Sequence, residues 1–312
     1  MSALEIKDYK TIYTPELVTD LFSRVKGHSS LAKLSNQEPL PFNGKEIMEF
    51  TMDDEVNIVG ESEGKTQGSA GLATKKMVPL KVEYGIRVSD EFMYASDEKK
   101  IDIIKAFNEG FAAKVARGLD IMAMHGVNPR TGVASTLIGD NHFDKGTKKV
   151  ETTAGSEDKD INKAIALFDN ADDIDVTGFA MSKAFRTSLS ELEYPGGAAK
   201  FPELGWGNNA TSLRGLAVDV NSTVSFKNSD DLAIIGDFQK YFKYGIAKEI
   251  LLDIIPYGDP DNTGKDLKGH NQIFIRSEVY LGWAVMDQNA FSRVVKKAVV
   301  TEPDDDATEP GA

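Results

Sequence analysis

The stretch that most restricts the fold is Asp97–His125, DEKKIDIIKAFNEGFAAKVARGLDIMAMH. Ile101, Ile104, Phe107, Phe111, Val115, Leu119 and Met122 recur at steps of three and four, so one helical stripe is apolar. Lys99, Asp102, Lys105, Glu109, Arg117 and Asp120 fall on the opposite side. Ser96 or Asp97 can cap the start, and Gly126 can take the left-handed conformation that ends a helix. At 1.5 Å per residue the helix is about 43 Å long, well beyond the roughly three turns of an average helix. Gly110 and Gly118 inside it each cost about 1 kcal/mol relative to Ala, which suggests a close backbone approach.

The chain of 312 residues is long enough for about two domains with a sizeable core. It has no cysteine, which excludes disulfides, Cys-ligated zinc and a thiol nucleophile. Net charge is −13, so broad adhesion to nucleic acid through clustered Lys and Arg is not expected. No apolar run approaches 18 residues, so no membrane partner is expected. The N-terminus lacks a signal-peptide pattern, which makes synthesis in the cytoplasm the default.

Residues 1–44 read as an arm. A helix from about Pro15 to Lys26 would carry Leu17, Leu21 and Phe22, and Pro39 and Pro41 enforce an extended path after it. Nothing nearby in sequence covers these apolar residues, so the arm should pack on something else. Residues 45–92 read as a long hairpin. One arm is Glu46–Met52 with Glu55–Val59, and the other is Met77–Val88, where Val78, Leu80, Val82 and Tyr84 alternate with polar positions. The tip, GESEGKTQGSAG at 60–71, is rich in Gly, Ser and charge. A lone two-stranded hairpin is marginal in water, so a projecting one should lie on a neighbour. Short helices are expected at 160–169 and 183–192, and short strands at 177–181, 216–220 and 232–235. Residues 238–255 are apolar with a mixed period. From Gln272 to Met286, residues Ile273, Ile275, Val279, Leu281, Trp283 and Val285 share one parity. The end, TEPDDDATEPGA, reads as an acidic disordered tail.

Three patterns imitate chemistry. VGESEGKT (59–66) ends like a phosphate-binding loop, but the spacing from Gly60 is one short, and Glu61 and Glu63 would repel phosphates. Gly60-Glu-Ser62-Glu-Gly64 matches a nucleophile elbow, but no helix pattern follows and the four histidines lie in unrelated contexts. Asp259-Pro-Asp261-Asn-Thr263-Gly264 opens like a calcium loop but has His270 at the twelfth position, so a plain turn is expected. No catalytic, cofactor-binding or metal-ligating residues are assigned.

The blocks VGESEGK (59–65), KKMVPLKVEYGIRVSDEF (75–92), the long helix and GVNPRTG (126–132) resemble the major capsid proteins of tailed bacteriophages with the HK97 fold. LRGLAVDV (213–220), IIGDFQKYFKY (234–244) and IRSEVYLGWAVMDQNAF (275–291) continue the likeness. The resemblance implies an α+β, HK97-like capsid fold. It implies an N-terminal arm at 1–44, an extended hairpin loop at 45–92 and a peripheral domain with spine helix at 93–154. An axial domain at 155–235, further peripheral strands at 236–300 and the tail at 301–312 complete it. It also implies a structural subunit that forms hexamers and pentamers of an icosahedral head around dsDNA, without sequence-specific binding.

Interface residues are then expected at Leu17, Leu21 and Phe22 in the arm and at Gly60, Glu61, Glu63, Lys65, Gly68 and Gly71 at the hairpin tip. Expected partners are a portal protein, a decoration protein and a separate scaffolding protein: the hairpin starts too early to leave room for a fused scaffold unless the chain is already processed, and the initial Met1 favours the separate protein. Lys65, Lys75 and Lys76 are available for the covalent cross-links that one branch of the family makes. An encapsulin-like cellular shell and a serine hydrolase using Ser62 are the competing readings.

Overall fold

The computed structural model describes residues 29–52, 54–94, 97–171, 174–205, 210–227 and 229–297. Leu17, Leu21, Phe22, Trp206 and the acidic segment 301–312 lie outside them.

The described chain opens on helix α1 (Ser30–Leu34), followed by the short strand β1 (Asn36–Gln37). Strands β2 (Lys45–Met52) and β3 (Ala70–Met77) form the hairpin, and β4 (Leu80–Ser89) follows. Helix α2 spans Asp97–His125, as its periodicity predicts, and Gly126 closes it with φ +66°. Then come β5 (Lys148–Thr152), α3 (Glu157–Ala166), β6 (Gly178–Met181), α4 (Lys183–Ser190), β7 (Ser212–Leu213), β8 (Leu216–Val220) and β9 (Asp231–Gly236). The last elements are α5 (Phe238–Tyr241), β10 (Phe242–Ile255), β11 (Gln272–Val285) and β12 (Phe291–Lys296).

Two larger sheets result. One has the order β1-β10-β11-β4, the other β5-β12-β9-β6-β8-β7. Helix α2 runs along the four-stranded sheet. Its Phe111, Val115, Leu119 and Met122 share a core with Val279, Leu281 and Trp283 of β11, while Ile104 meets Ile273 and Ile275 further along. The six-stranded sheet is covered on both faces. On β9, Ala233 and Ile235 face a core with Phe185 and Leu189 of α4, and Ile234 faces the main core. Phe143, Phe238, Phe242 and Phe291 bridge the two bodies, with Phe143 and Phe291 centroids 4.6 Å apart in an edge contact.

Several expectations need correction. The second arm of the hairpin is Ala70–Met77, not Met77–Val88, and 55–59 is not strand. Pro79 lies between β3 and β4, and the alternating residues of β4 pair instead with β11, nearly two hundred positions away. Strand β12, expected among the later peripheral strands, sits inside the six-stranded sheet between β5 and β9. The mixed period of 238–255 has two causes: α5 turns the chain first, and β10 slips register at Ile246–Lys248 and again by Leu251. Residues 29–40 do not await a neighbour. Leu31, Leu34 and Leu40 belong to this chain's own core. Ile101, expected on the buried stripe, is exposed, and Asp120, expected on the polar side, is fully buried. The end of α2, residues 118–125, is buried on every side, so the stripe rule fails there. Gly110 meets nothing within 4 Å, and Gly118 meets only side chains, so neither marks a backbone crossing.

The calcium-like turn is more than a plain turn. The Arg87 guanidinium of β4 lies where a cation would. It donates to Asp259, Asp261, the Thr263 hydroxyl and the Lys265 carbonyl. Arg87 holds the Asp261 carboxyl down at about 2.

Candidate assembly surface

Opposed residues of an antiparallel pair share a face, so Met48, Phe50 and Met52 of β2 stand beside Thr74, Leu72 and Ala70 of β3. On that face Met48 is 68% exposed, Phe50 62% and Leu72 65%. The opposite face carries Ile47 and Met77, which pack on the main core. Attachment of one face therefore leaves the other as an apolar strip in water. Its edge is marked by the Lys76–Glu46 ion pair at 2.9 Å. Beyond Met52 the ladder ends, and Val56 and Ile58 are 95% and 94% exposed. Monomers rarely display contiguous apolar surface on this scale unless something covers it.

The tip is held by local polar contacts. Gly60 N–H donates to the Glu63 carboxylate at 3.0 Å, and Asp54 accepts from both Ser69 N–H and its hydroxyl. Gly68 lies against Asp54, and Gly71 sits in β3 opposite Thr51. Glu61 and Lys65 are exposed. Of the nine residues expected at an interface, the tip set therefore falls on one projecting loop, and the arm set lies outside the described residues. The larger apolar signal, Met48, Phe50 and Leu72, was missed. Its clue was the even-numbered run in EIMEFTM (46–52), apolar on one parity. Ser62 has φ +72° at the exposed tip and hydrogen-bonds to none of the described histidines, so the elbow geometry is missing.

Behind this surface, two buried polar clusters tie the elements together. Asp120 of α2 accepts from Ser30 N–H at 2.9 Å, Leu31 N–H at 3.1 Å, the Thr223 hydroxyl at 2.8 Å, and the Ser29 hydroxyl. It thus clamps the start of α1 to the long helix. Burial pushes its carboxyl up to about 6, against the pull of these donors. One turn on, His125 directs Nε2 at the Thr223 carbonyl (2.9 Å) and Nδ1 at Asp144 (3.1 Å). Both ring nitrogens face acceptors, which suits the imidazolium. Burial opposes that charge, but the Asp144 hydrogen bond and the nearby carboxylates carry His125 above its ordinary value. Arg293 of β12 closes the cluster, binding Asp231 at 2.9 Å and Asp144 at 2.5 Å, with Nε on the Thr147 hydroxyl. Burial and the Asp144 charge push Asp231 up to about 6. His125, Asp144 and Asp231 could converge on a metal ion, but the Arg293 guanidinium already supplies the cation there.

Asp120 gives a pH dependence of definite sign. Its folded value, about 6, lies above the ordinary aspartate value of 3.8. The folded state therefore binds the proton more tightly, and this stability is full below pH 3.8 and lost as pH rises through 6. Asp120→Asn removes the titration. The wild-type advantage over this variant is expected to shrink by roughly 2 kcal/mol between pH 4 and 7. Urea denaturation at several pH values measures it, and an advantage that grows with pH would contradict the assignment.

Fold and surface together define a subunit that leaves an apolar hairpin face uncovered. The chain matches the phage capsid family over residues 12–296 and belongs to it. It is a structural major capsid protein with an HK97-like α+β fold, a component of the virion capsid that assembles into oligomeric shells, and not an enzyme. Among solved structures, a chain from Mycobacterium phage Ogopogo is 30% identical, with a TM-score of 0.73 over 86% of this chain and 92% of that one. One from Gordonia phage Cozz is 26% identical, with a TM-score of 0.73 over 87% of each chain. The capsid of a native GTA particle, 13% identical, shares the fold at a TM-score of 0.61 over 86% of this chain and 90% of that one. No curated protein matches the chain.

Proposed function

We infer that this capsid subunit closes into hexamers and pentamers of an icosahedral head, with each hairpin lying across an adjacent copy. The observation that carries this is the strip of Met48, Phe50 and Leu72 on a hairpin whose other face is already used. Burying each of these side chains contributes roughly 1.5 kcal/mol or more. The arm with Leu17, Leu21 and Phe22 would add a second contact between copies, and 45–92 with 93–154 would frame the periphery. The six-stranded body would reach toward the symmetry axes. Assembly would take place in the host cytoplasm, on a scaffolding protein, around a portal and with sites open to decoration proteins. The enclosed dsDNA would be held without sequence readout.

Negative-stain microscopy of the purified protein tests this. Closed particles of uniform size are expected from the wild type, and open sheets or free subunits after deletion of residues 60–71. Normal shells from the deletion would remove the tip from the assembly contact.

A further inference from the structure

At the base of the hairpin, Val78 and Leu137 are 57% and 80% exposed, and both line a hollow of about 120 Å³. Ile138, Asn141 and Trp283 form its wall, and Lys76 also borders it. The polar atoms of this wall are largely spent on one another. Trp283 Nε1 donates to the Asn141 carbonyl at 2.9 Å, and the Asn141 side-chain amide donates to the Trp283 carbonyl at 2.8 Å. The Asn141 side-chain oxygen accepts from Val285 N–H at 2.9 Å, and the Lys76 ammonium is held by Glu46 at 2.9 Å. The hollow therefore offers an occupant carbon surface and few hydrogen bonds. A polar ligand would lose its partners in water and find few here, whereas an apolar side chain loses nothing. Apolar cavities of roughly 150 Å³ hold a benzene ring, so this one, open to solvent, suits a single side chain.

Lys76 ties the hollow to the apolar strip. It faces Glu46 across β2 and β3, and on the same parity follow Met48 with Thr74 and Phe50 with Leu72. Hollow and strip are thus continuous along one face of the hairpin. Within one chain they cannot meet. Phe50 stands four residues beyond Glu46, roughly 14 Å along the strand, farther than a phenyl side chain reaches. A chain of net charge −13 repels its copies, so close contact between copies favours surfaces that bring no free charge. Met48, Phe50 and Leu72 carry none, and the ammonium beside the hollow is already paired. Aromatic anchors seated in a partner's pocket dominate interfaces, Phe50 is the aromatic residue of the strip, and Trp283 supplies an aromatic wall.

We propose that Phe50 of one copy seats in the hollow of a second copy, against Leu137 and Trp283. A knob and a socket at different places on one chain make a head-to-tail contact, and such contacts close into rings. The proposal rests on the reading that each hairpin lies across an adjacent copy, and it names the site on which the hairpin lands.

The chain has no cysteine, so a thiol placed in it is unique. Full-length protein carrying Phe50→Cys with Leu137→Cys is assembled into shells and treated with bismaleimidoethane. A denaturing gel is expected to show a ladder that ends at pentamers and hexamers. Phe50→Cys alone should run as monomer. So should Phe50→Cys with Tyr257→Cys, whose second site is 72% exposed but lies outside the hollow. Dimers from Phe50→Cys alone overturn the proposal, because they set two hairpins against each other. Monomer from the pair with Leu137→Cys, or an equal ladder from the pair with Tyr257→Cys, also overturns it. Leu137→Asp tests the hollow without thiols, and decides alone if the double-cysteine chain does not assemble. The side chain is exposed in the subunit, so circular dichroism should match the wild type while shell yield falls at least about tenfold. Ordinary shell yield from Leu137→Asp defeats this proposal and leaves the hairpin reading standing. A wild type that forms no closed particles defeats that reading, and the proposal with it.

Discussion

Subunits carrying Phe50→Asp with Leu72→Asp are expected to fold as the wild type does and to form no closed shells. The two residues are direct partners across β2 and β3, on the face the subunit leaves largely in water. Placing carboxylates there removes only the contact between the two and sets like charges opposite each other, so the subunit should lose about 1 kcal/mol and still fold. Between subunits, the same change buries unpaired charge in an apolar contact, which costs several kcal/mol at every repeat of the interface. The effect multiplies over the shell because each copy presents the same face. Sedimentation separates shells from smaller species, and circular dichroism reports the fold. Shells of ordinary size and yield would show that this strip is not an assembly contact. Met77→Asp is the useful contrast. Met77 is fully buried on the other face, so that variant should fail in folding before assembly is reached.

Arg293→Met is expected to destabilise the subunit by about 3–5 kcal/mol at neutral pH. The guanidinium binds Asp231 and Asp144 together, and both carboxylates are otherwise left facing each other in a buried site. His125 Nδ1 stands 3.1 Å from Asp144 and 3.6 Å from Asp231, but its single N–H cannot replace the several donors the guanidinium gives to Asp144, Asp231 and Thr147. Arg293→Lys keeps the charge and loses the fork, so an intermediate loss is expected. Chemical denaturation measures both. A loss below about 1 kcal/mol for the Met variant would mean that the cluster is not a structural junction.

What could be seen in the sequence was what depends on near neighbours. Helix α2 was legible because its apolar residues recur at helical spacing and Gly126 ends it. β11 was legible from its parity. The hairpin was legible in existence but not in register. AGLATKKM is a weak strand on propensity alone, whereas the residues just after it alternate well and looked like the better arm. They do form a strand, but its partner is β11, and no local signal announces so distant a pairing. The candidate surface was seen at its polar tip and missed along its apolar flank. The Arg293 cluster was invisible for a related reason. His125, Asp144, Asp231 and Arg293 are scattered along the chain, and each alone reads as a solvated charge. Asp120 looked like a surface residue because the helix pattern says nothing about a second layer over its polar side.

The place of β12 has a consequence for synthesis. Of the described strands it is the last made, yet it lies in the interior of its sheet, with β5 on one side and β9 on the other. A nascent chain still threaded through the ribosome at Phe291 has β5 and β9 but nothing to join them. Such late, distant pairing slows folding. It also orders events, since a subunit cannot reach its finished shape before residue 296 has emerged.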